Sequence, residues 1–187
     1  KSPVSLQQLN PLPFISKGFF EQATTQEYCT GNEIDISLSG GKGKATWEES
    51  NDRLNWITFS QNKLTDSTAK VAYANNSTAL DTTYIRVKYT TTCDTIYSDT
   101  MAVIVHPQAI KGNILGNTDI CLGDSLTIKL DNYQGDSIVW QASNGAIFTD
   151  IASGSDSLFI KPSTLTEYRV ITKYNNGLCP TVISDTI

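Results

Sequence analysis

The sequence is poor in the residues on which most enzyme and metal sites depend. It contains one histidine, His106, so no histidine pair is available to bind a metal ion. Any Ser-His-Asp set would have to use this same residue, which lies in a Val-His-Pro stretch typical of a strand end. We therefore expect no catalytic residues, no metal site and no cofactor.

Positive charge and long apolar runs are also scarce. The 14 lysines and arginines are scattered among 19 acidic residues, so the net charge is -5 and no basic cluster forms. A nucleic-acid partner needs such a cluster to displace counterions from phosphates, and none is expected. No run of apolar residues reaches the length of about 20 that a membrane-spanning helix needs. The first residues do not resemble a secretory signal either, in which a charged segment is followed by an apolar one. We expect no membrane span in this segment.

Internal repetition is the strongest pattern that the sequence does contain. The run Cys29–Leu38 matches the run Cys121–Leu130, with Cys, Gly and three alternating apolar residues at the same places. A tryptophan follows each of these cysteines at nearly the same distance, Trp47 in one case and Trp140 in the other. Such self-similarity indicates that one structural unit occurs more than once.

The match continues towards the last residues of the sequence. Tyr84 begins a Tyr-Ile-Arg-Val run that corresponds to the Tyr-Arg-Val run at Tyr168. Cys93 and Cys179 are then each followed, five residues later, by a Ser-Asp-Thr triplet. The repeated unit therefore includes a late cysteine as well as an early one.

Alternation of apolar and polar residues indicates strands rather than helices. Runs such as Ile34–Leu38 and Met101–Val105 have a period of two, and no stretch shows the capped periodicity of a helix. The repeated unit is close in length to the ~100 residues of an immunoglobulin-like sandwich, and it has a tryptophan in the third strand, as such a sandwich does. The predicted fold class is all-β, as tandem immunoglobulin-like Greek-key β-sandwiches.

These matches divide the chain into three parts. We predict residues 11–106 as one immunoglobulin-like repeat, called repeat A, and residues 107–187 as another, called repeat B, which lacks its last strand. Residues 1–10 are predicted as the closing strand of a preceding repeat or a linker, because Ser2–Pro11 resembles Ser98–Pro107. We therefore expect the chain to be a slice from a longer array.

Repeat B resembles the immunoglobulin-like repeats of large cell-surface adhesins of Bacteroidota, of the gliding and type IX secreted kind. The resemblance rests on the runs Ile120–Asp124, Trp140–Ile151, Thr166–Val170 and Asn176–Cys179 with the serine that follows. Repeat A departs from the pattern in its middle. The resemblance implies an extracellular, cell-surface location and a role in adhesion or gliding motility.

The four cysteines suggest disulfides, because the chain resembles an exported protein. One pairing joins Cys29 to Cys93 and Cys121 to Cys179, within each repeat. However, a cysteine before the second strand and one in the last turn could lie ~20 Å apart, beyond the ~6 Å between Cα atoms that a bridge allows. A staggered pairing of Cys29 with Cys179 avoids this and leaves the other two cysteines for neighbouring repeats. Both pairings stay open.

Aromatic residues at matched positions are predicted to form the core of each repeat. Trp47 and Trp140 belong to the third strand, where an immunoglobulin-like sandwich buries a tryptophan. Tyr84 and Tyr168 begin the matched runs of a later strand. We expect all four side chains to be buried.

A second group of aromatics, Trp56, Phe59 and Tyr73, lies in the middle of repeat A, where the two repeats differ most. Two interpretations stay open. These side chains either pack between strands or form an exposed strip that stacks on sugar rings. The second interpretation makes them a candidate glycan contact.

Eight of the 13 aspartates are followed by Ser or Thr and then by an apolar residue or Thr. This string resembles the acceptor pattern of Bacteroidota protein O-glycosylation, although turns that lead into strands would produce it too. The resemblance implies candidate acceptors at Ser67, Thr82, Thr95, Thr100, Ser125, Ser137, Ser157 and Thr186.

The predicted function is that of a non-catalytic structural and adhesive repeat segment of a large bacterial cell-surface adhesin. It would act as a stalk or as a surface-binding module. Two alternatives are a carbohydrate-binding accessory module of a secreted enzyme and an accessory component of a secretion or gliding complex. The expected partners are neighbouring repeats of the same polypeptide, with a surface polysaccharide or a cell-surface protein as further candidates.

Overall fold

The computed structural model describes residues 14–59, 63–145, 147–174 and 177–187. Residues 1–10, predicted as a closing strand or linker, lie outside these ranges. The chain forms two compact units, neither of which is continuous in sequence. Unit 1 comprises Lys1–Gln26, Glu33–Ala72 and Thr82–Val103, and unit 2 comprises Glu27–Asn32, Tyr73–Asp81 and Ile104–Ile187. The boundary between repeats A and B stays a sequence-based prediction.

The regular elements of the described residues are all β-strands. Ten strands belong to repeat A: β1 (Phe19–Phe20), β2 (Thr25–Cys29), β3 (Glu33–Ser39), β4 (Lys44–Ser50), β5 (Ile57–Thr58), β6 (Lys63–Leu64), β7 (Thr68–Ala72), β8 (Asp81–Thr90), β9 (Thr95–Tyr97) and β10 (Met101–His106). Seven belong to repeat B: β11 (Ile110–Leu115), β12 (Leu126–Gln134), β13 (Ser137–Ser143), β14 (Thr149–Ser153), β15 (Ser157–Ile160), β16 (Glu167–Lys173) and β17 (Val182–Ile183).

The strands of repeat A form two sheets with Greek-key connections. One sheet has the order β1-β3-β7-β6, and the other has the order β2-β10-β8-β4-β5 with β9 paired to β8. Strand β3 therefore pairs with β7, and β4 pairs with β8 as well as with its neighbour β5, all antiparallel. This exchange between sheets is the topology of an immunoglobulin-like sandwich.

The strands of repeat B form two sheets of the same kind. Their orders are β11-β12-β15 and β14-β13-β16-β17, again with antiparallel pairs. The register of β13 against β14 shifts between Trp140 and Gln141. Such a β-bulge bends the strand and increases its twist. The prediction of an all-β fold made of immunoglobulin-like β-sandwiches is confirmed.

Each core is built from the inward-facing residues of alternating strands. In β3, buried Ile34, Ile36 and Leu38 alternate with polar residues that are more exposed, as the period of a pleated strand requires. Trp47 is also buried, with its ring centre 6.4 Å from that of Phe20, and its indole N–H donates to a main-chain carbonyl 2.9 Å away. The apolar residues that alternate in the sequence thus pack together on the inner face of the sheet.

In unit 2 the equivalent tryptophan is the largest fully buried side chain. Trp140 packs with Ile128, Leu130 and Val170, and its indole N–H donates to the carbonyl oxygen of Ser155 at 2.8 Å. A buried indole N–H without an acceptor would destabilise the folded state, and this hydrogen bond removes that desolvation cost for Trp140.

The structure corrects the expected burial of one tyrosine. Tyr168 is buried, but Tyr84 is only half-buried, and the guanidinium of Arg53 lies 4.1 Å from its ring centre. Strand pairing explains the difference, because Trp47 lies opposite Val87 just as Trp140 lies opposite Val170. Counting from these valines, the residue equivalent to Tyr168 is Ile85, and Tyr84 faces the other side of the strand.

Candidate functional site

A disulfide between Cys29 and Cys179 is the most distinctive chemical feature of the chain. Strand β2 ends at Cys29, Cys179 lies between β16 and β17, and the two Cα atoms are 5.1 Å apart. The bond closes a sequence separation of 150 residues and joins repeat A to repeat B. The within-repeat pairings of Cys29 with Cys93 and of Cys121 with Cys179 are therefore wrong, and the staggered pairing is the one formed.

Main-chain hydrogen bonds fix the Cys29 side of this bond. Thr30 donates its N–H to the carbonyl oxygen of His106 at 3.0 Å, and Gly31 donates to that of Tyr73 at 3.1 Å. Gly31 has a φ of 79°, in the left-handed region that glycine adopts without a side-chain clash. The turn after Cys29 is consequently bonded on both sides, which holds the cysteine in place.

A buried asparagine completes this part of unit 2. The Asn75 side-chain amide donates to the carbonyl oxygens of Ala79 and Val105, both at 2.7 Å, and its main-chain N–H donates to the hydroxyl of Thr30 at 2.8 Å. Its side-chain oxygen accepts from the main-chain N–H and the hydroxyl of Ser77. Every polar group of this side chain has a partner, so it ties three segments together at little desolvation cost.

The other two cysteines are the ones that the staggered pairing leaves for neighbouring repeats, and their disulfides stay a prediction. Cys93 and Cys121 are free thiols with exposed side chains. Their local structures nevertheless match those of the bonded pair. In each turn the main-chain N–H three residues after the cysteine donates to the carbonyl oxygen of the cysteine, at 3.0 Å for Cys121 and 3.1 Å for Cys29. Gly123 also shares the positive φ, at 90°.

Cys93 lies in the turn between β8 and β9, as Cys179 lies between β16 and β17. Beyond each turn a serine hydroxyl accepts the main-chain N–H of a core valine at 2.8 Å, Ser98 from Val87 and Ser184 from Val170. Cys121 is thus the structural equivalent of Cys29, and Cys93 that of Cys179.

Unit 1 also has a distinctive surface around one arginine. The Arg86 guanidinium lies 3.9 Å from the ring centre of Trp56 and 4.2 Å from that of Tyr97, and it forms a 2.8 Å ion pair with Glu48. Cation–π stacking on two rings keeps this cation and both aromatics in fixed positions. We did not predict this group from the sequence, although arginine occurs at the matched position 169 of repeat B.

The hairpin between β4 and β5 extends this surface. Asp52 accepts hydrogen bonds from the N–H and side-chain amide of Asn55, the N–H of Leu54 and the hydroxyl of Ser50, and these bonds hold the pKa of Asp52 well below its usual range. The turn presents Leu54, which is 82% exposed. We call Leu54, Trp56, Arg86 and Tyr97 the hairpin surface.

The proposed glycan strip of Trp56, Phe59 and Tyr73 does not form. Phe59 is buried, with its ring centre 6.2 Å from that of Trp47, because its N–H bonds to the carbonyl oxygen of Trp47. Trp56 is half-buried beneath Arg86, and Tyr73 is half-buried as well. These three residues therefore do not make one exposed stacking surface.

The eight candidate O-glycosylation residues lie outside the buried core. Four are exposed: Ser67, Thr95, Ser125 and Thr186. Four are half-buried: Thr82, Thr100, Ser137 and Ser157. Their modification stays a prediction.

Within the described ranges, no group of three or more His, Cys, Asp or Glu side chains is placed to bind a metal ion. No helix in this part of the chain has the length and apolarity that crossing a bilayer demands.

Comparison with known proteins gives one family match. The family model described as Domain of unknown function (DUF8696) matches the chain twice, over residues 21–107 and 110–187. No curated protein sequence matches the chain.

Three solved structures resemble the chain at low identity. The four N-terminal Ig domains of Dscam1 isoform 6.9 are 10% identical with a TM-score of 0.42, over 92% of this chain and 44% of that one. Ig domains 1–4 of Sidekick-1 are 13% identical with a TM-score of 0.40, over 94% and 46%. The human OSCAR ligand-binding domain is 11% identical with a TM-score of 0.34, over 93% and 98%. The chain thus spans less than half the length of the first two structures.

Proposed function

Because the chain belongs to the family described as Domain of unknown function (DUF8696), whose model covers it twice, we propose that it is a non-catalytic structural segment of an extracellular repeat protein. Disulfides persist in oxidising compartments, and the Cys29–Cys179 bond supports such a location. In the finer form of the proposal, the parent protein is a bacterial cell-surface adhesin in which these repeats act as a stalk.

The observation that carries this proposal is the staggered disulfide. The bond joins the early cysteine of repeat A to the late cysteine of repeat B. Tension applied to the two ends of the chain would pass from Cys29 directly to Cys179 and leave residues 30–178 unstretched. A stalk needs this property, because unfolding under load would otherwise expose its cores and lengthen it.

The adhesive part of the proposal is assigned to the hairpin surface of unit 1. It combines the exposed apolar side chain of Leu54 with aromatics held by Arg86, and the bonds of Asp52 order the turn that carries Leu54. A preorganised surface of this kind loses little entropy on binding. We assign it to a cell-surface protein in preference to a polysaccharide, because none of the three aromatics expected to stack on sugar is exposed.

Stretching single molecules from the two termini tests the stalk function. With the disulfide intact, only residues 1–28 and 180–187 can extend, which corresponds to about 130 Å at ~3.6 Å per residue. The double variant Cys29→Ser, Cys179→Ser should extend over the whole chain, to about 670 Å by the same measure.

The double variant Cys93→Ser, Cys121→Ser is the matched control, because it removes two exposed thiols and retains the bond. It should extend only as far as the wild type. Full extension of oxidised wild-type protein would contradict the proposed function, as would peptide mapping that finds Cys29 and Cys179 unpaired after purification without a reductant.

A further inference from the structure

Arg53, in the hairpin between β4 and β5, has an unusual backbone conformation. Its φ is 63°, in the left-handed region where most residues with a side chain are strained and glycine or asparagine is the usual choice. The indole N–H of Trp56 donates to the carbonyl oxygen of Arg53 at 3.0 Å, which helps to hold the residue in this conformation. Backbone strain that the surrounding bonds maintain is concentrated at functional positions in proteins.

The conformation of Arg53 accompanies stacking of its side chain on Tyr84. The central carbon of the guanidinium lies 4.1 Å from the ring centre. Stacking uses the face of the guanidinium, and its N–H donors point outward in the plane of the group. Arg53 is exposed, and no carboxylate among the described residues forms an ion pair with it. The side chain therefore presents oriented, unpaired donors to solvent.

The carboxylate next to Arg53 in sequence, that of Asp52, is engaged within the hairpin. Its two oxygens accept hydrogen bonds from Ser50, Leu54 and Asn55. These bonds hold the pKa of Asp52 well below its usual range, so the group is ionised at neutral pH with its acceptor positions occupied. Asp52 thus orders the turn and leaves the Arg53 donors for another acceptor.

The charges on this face of unit 1 favour an anionic ligand. Tyr84, Arg86 and Lys88 are alternate residues of β8 and therefore lie on the same side of the strand. Glu48 neutralises Arg86 through their ion pair, whereas Arg53 and Lys88 form no ion pair in the part of the chain that the structure describes. Two uncompensated cations consequently lie on one face of a chain whose net charge is -5.

Repeat B lacks both parts of this arrangement. The residue matched to Tyr84 is Glu167, because each of them pairs with the serine that ends the preceding matched strand. The turn that corresponds to the Arg53 turn, residues 144–147, contains no arginine. The immunoglobulin-like fold therefore forms without this stacked arginine, and the strain at Arg53 calls for an explanation other than folding.

We propose that Arg53 binds a carboxylate of an acidic protein segment, in which a neighbouring apolar side chain packs on Leu54. The edge of a guanidinium matches the two oxygens of a carboxylate and forms two parallel hydrogen bonds with it. Leu54 directly follows Arg53 and is 82% exposed, so an apolar side chain of the ligand gains a contact that an acidic polysaccharide does not provide. This inference rests on the proposed function, since it names the chemistry that the hairpin surface recognises.

A fluorescent peptide of four Glu-Leu-Gly repeats is the probe, and fluorescence anisotropy measures its affinity for the oxidised full chain. Arg53→Asn removes the guanidinium and keeps a residue that tolerates the left-handed conformation. This variant should bind the peptide about tenfold more weakly, as expected for the loss of hydrogen bonds between charged groups, and its midpoint of urea unfolding should not fall. Lys129→Gln removes one exposed positive charge from repeat B and should bind like the wild type.

Matched ligands identify the chemistry that is recognised. A Gln-Leu-Gly peptide lacks the carboxylates, and a Glu-Ser-Gly peptide lacks the apolar side chains, so both should bind more weakly than the probe. Polygalacturonate supplies carboxylates on a polysaccharide and should also bind more weakly. Polygalacturonate binding that is as tight as that of the probe and equally dependent on Arg53 would contradict the assignment to a protein segment.

Equal binding of the probe by the wild type and by Arg53→Asn would overturn the inference. A lowered midpoint of urea unfolding for Arg53→Asn would also overturn it, because Arg53 would then have a structural role. Leu54→Ser separates this failure from that of the proposed function. If Leu54→Ser weakens binding and Arg53→Asn does not, the hairpin surface still binds a protein segment and only this inference fails. If the wild type binds none of the peptides, the inference fails, and the stretching measurement decides the stalk function independently.

Discussion

Repeats A and B share their internal bonds more closely than their surfaces. In both, a buried indole donates to a loop carbonyl and a serine hydroxyl accepts from a core valine. In both, a lysine early in the repeat pairs with the aspartate of the Ser-Asp-Thr triplet, Lys17 with Asp99 at 2.9 Å and Lys111 with Asp185 at 2.7 Å. The shared bonds define the fold, and function therefore has to be sought where the repeats differ.

The surfaces around the matched arginines differ in charge and in aromatic content. Arg86 bonds to the carboxylate of Glu48 and stacks on two rings, whereas Arg169 bonds to the neutral amide of Gln141 and stacks on Phe148 alone. The same backbone position thus supports an ordered, charged surface in one repeat and a simpler one in the other. This contrast locates the specialised surface in repeat A.

The largest expected effect tests whether the shared bonds are equivalent. Ser98→Ala and Ser184→Ala each leave the N–H of a buried valine without its acceptor, so each should lower the free energy of unfolding of its own unit by about 1–3 kcal/mol. Urea unfolding of the full chain measures both. Ser125→Ala, at an exposed position, is the control and should have little effect. Unequal losses at Ser98 and Ser184 would break the equivalence of the repeats.

The next effect concerns a defect present in repeat B alone. Thr172 is fully buried, and its hydroxyl has no hydrogen-bond partner, whereas the matched position of repeat A holds Tyr89. Thr172→Val keeps the shape and removes the unpaired hydroxyl, so we expect the free energy of unfolding to rise by about 1 kcal/mol. Thr127→Val, on an exposed face, should not stabilise the protein. A destabilised Thr172→Val protein would show that the hydroxyl has a partner after all.

The smallest effect sharpens the contrast between the arginines. Arg86→Lys loses the planar contact with two rings and one nitrogen of the ion pair, for which we expect a loss of about 1 kcal/mol, and Arg169→Lys should lose about half as much. The Arg86 value should shrink more at high salt, because Arg86 has a direct ion pair with Glu48 whereas Arg169 bonds to the amide of Gln141. Urea unfolding at low and high ionic strength measures both, and equal salt dependence would remove the proposed difference.

Sequence reasoning succeeded where a pattern reflects one physical cause. Alternating apolar residues predict strands because only a pleated strand places them on one face. It misplaced Tyr84 by one position, since the Arg-Val pairs that end the two runs match only when Tyr168 is aligned with Ile85, and a shift of one residue moves a side chain to the opposite face. It also grouped Phe59 with Trp56, although the paired strand directs Phe59 onto the buried Trp47.

The all-β class, the repetition of an immunoglobulin-like unit and the core tryptophans could be predicted from the sequence alone, because periodicity and repeat spacing are local properties of the chain. The choice of which cysteines are joined could not. That choice depends on whether two Cα atoms come within bonding range, and Cys29 and Cys179 do so across 150 residues of sequence. The stacking of Arg86 on Trp56 and Tyr97 was likewise decided by strand pairing, since three residues distant in sequence meet only after the sheet has formed.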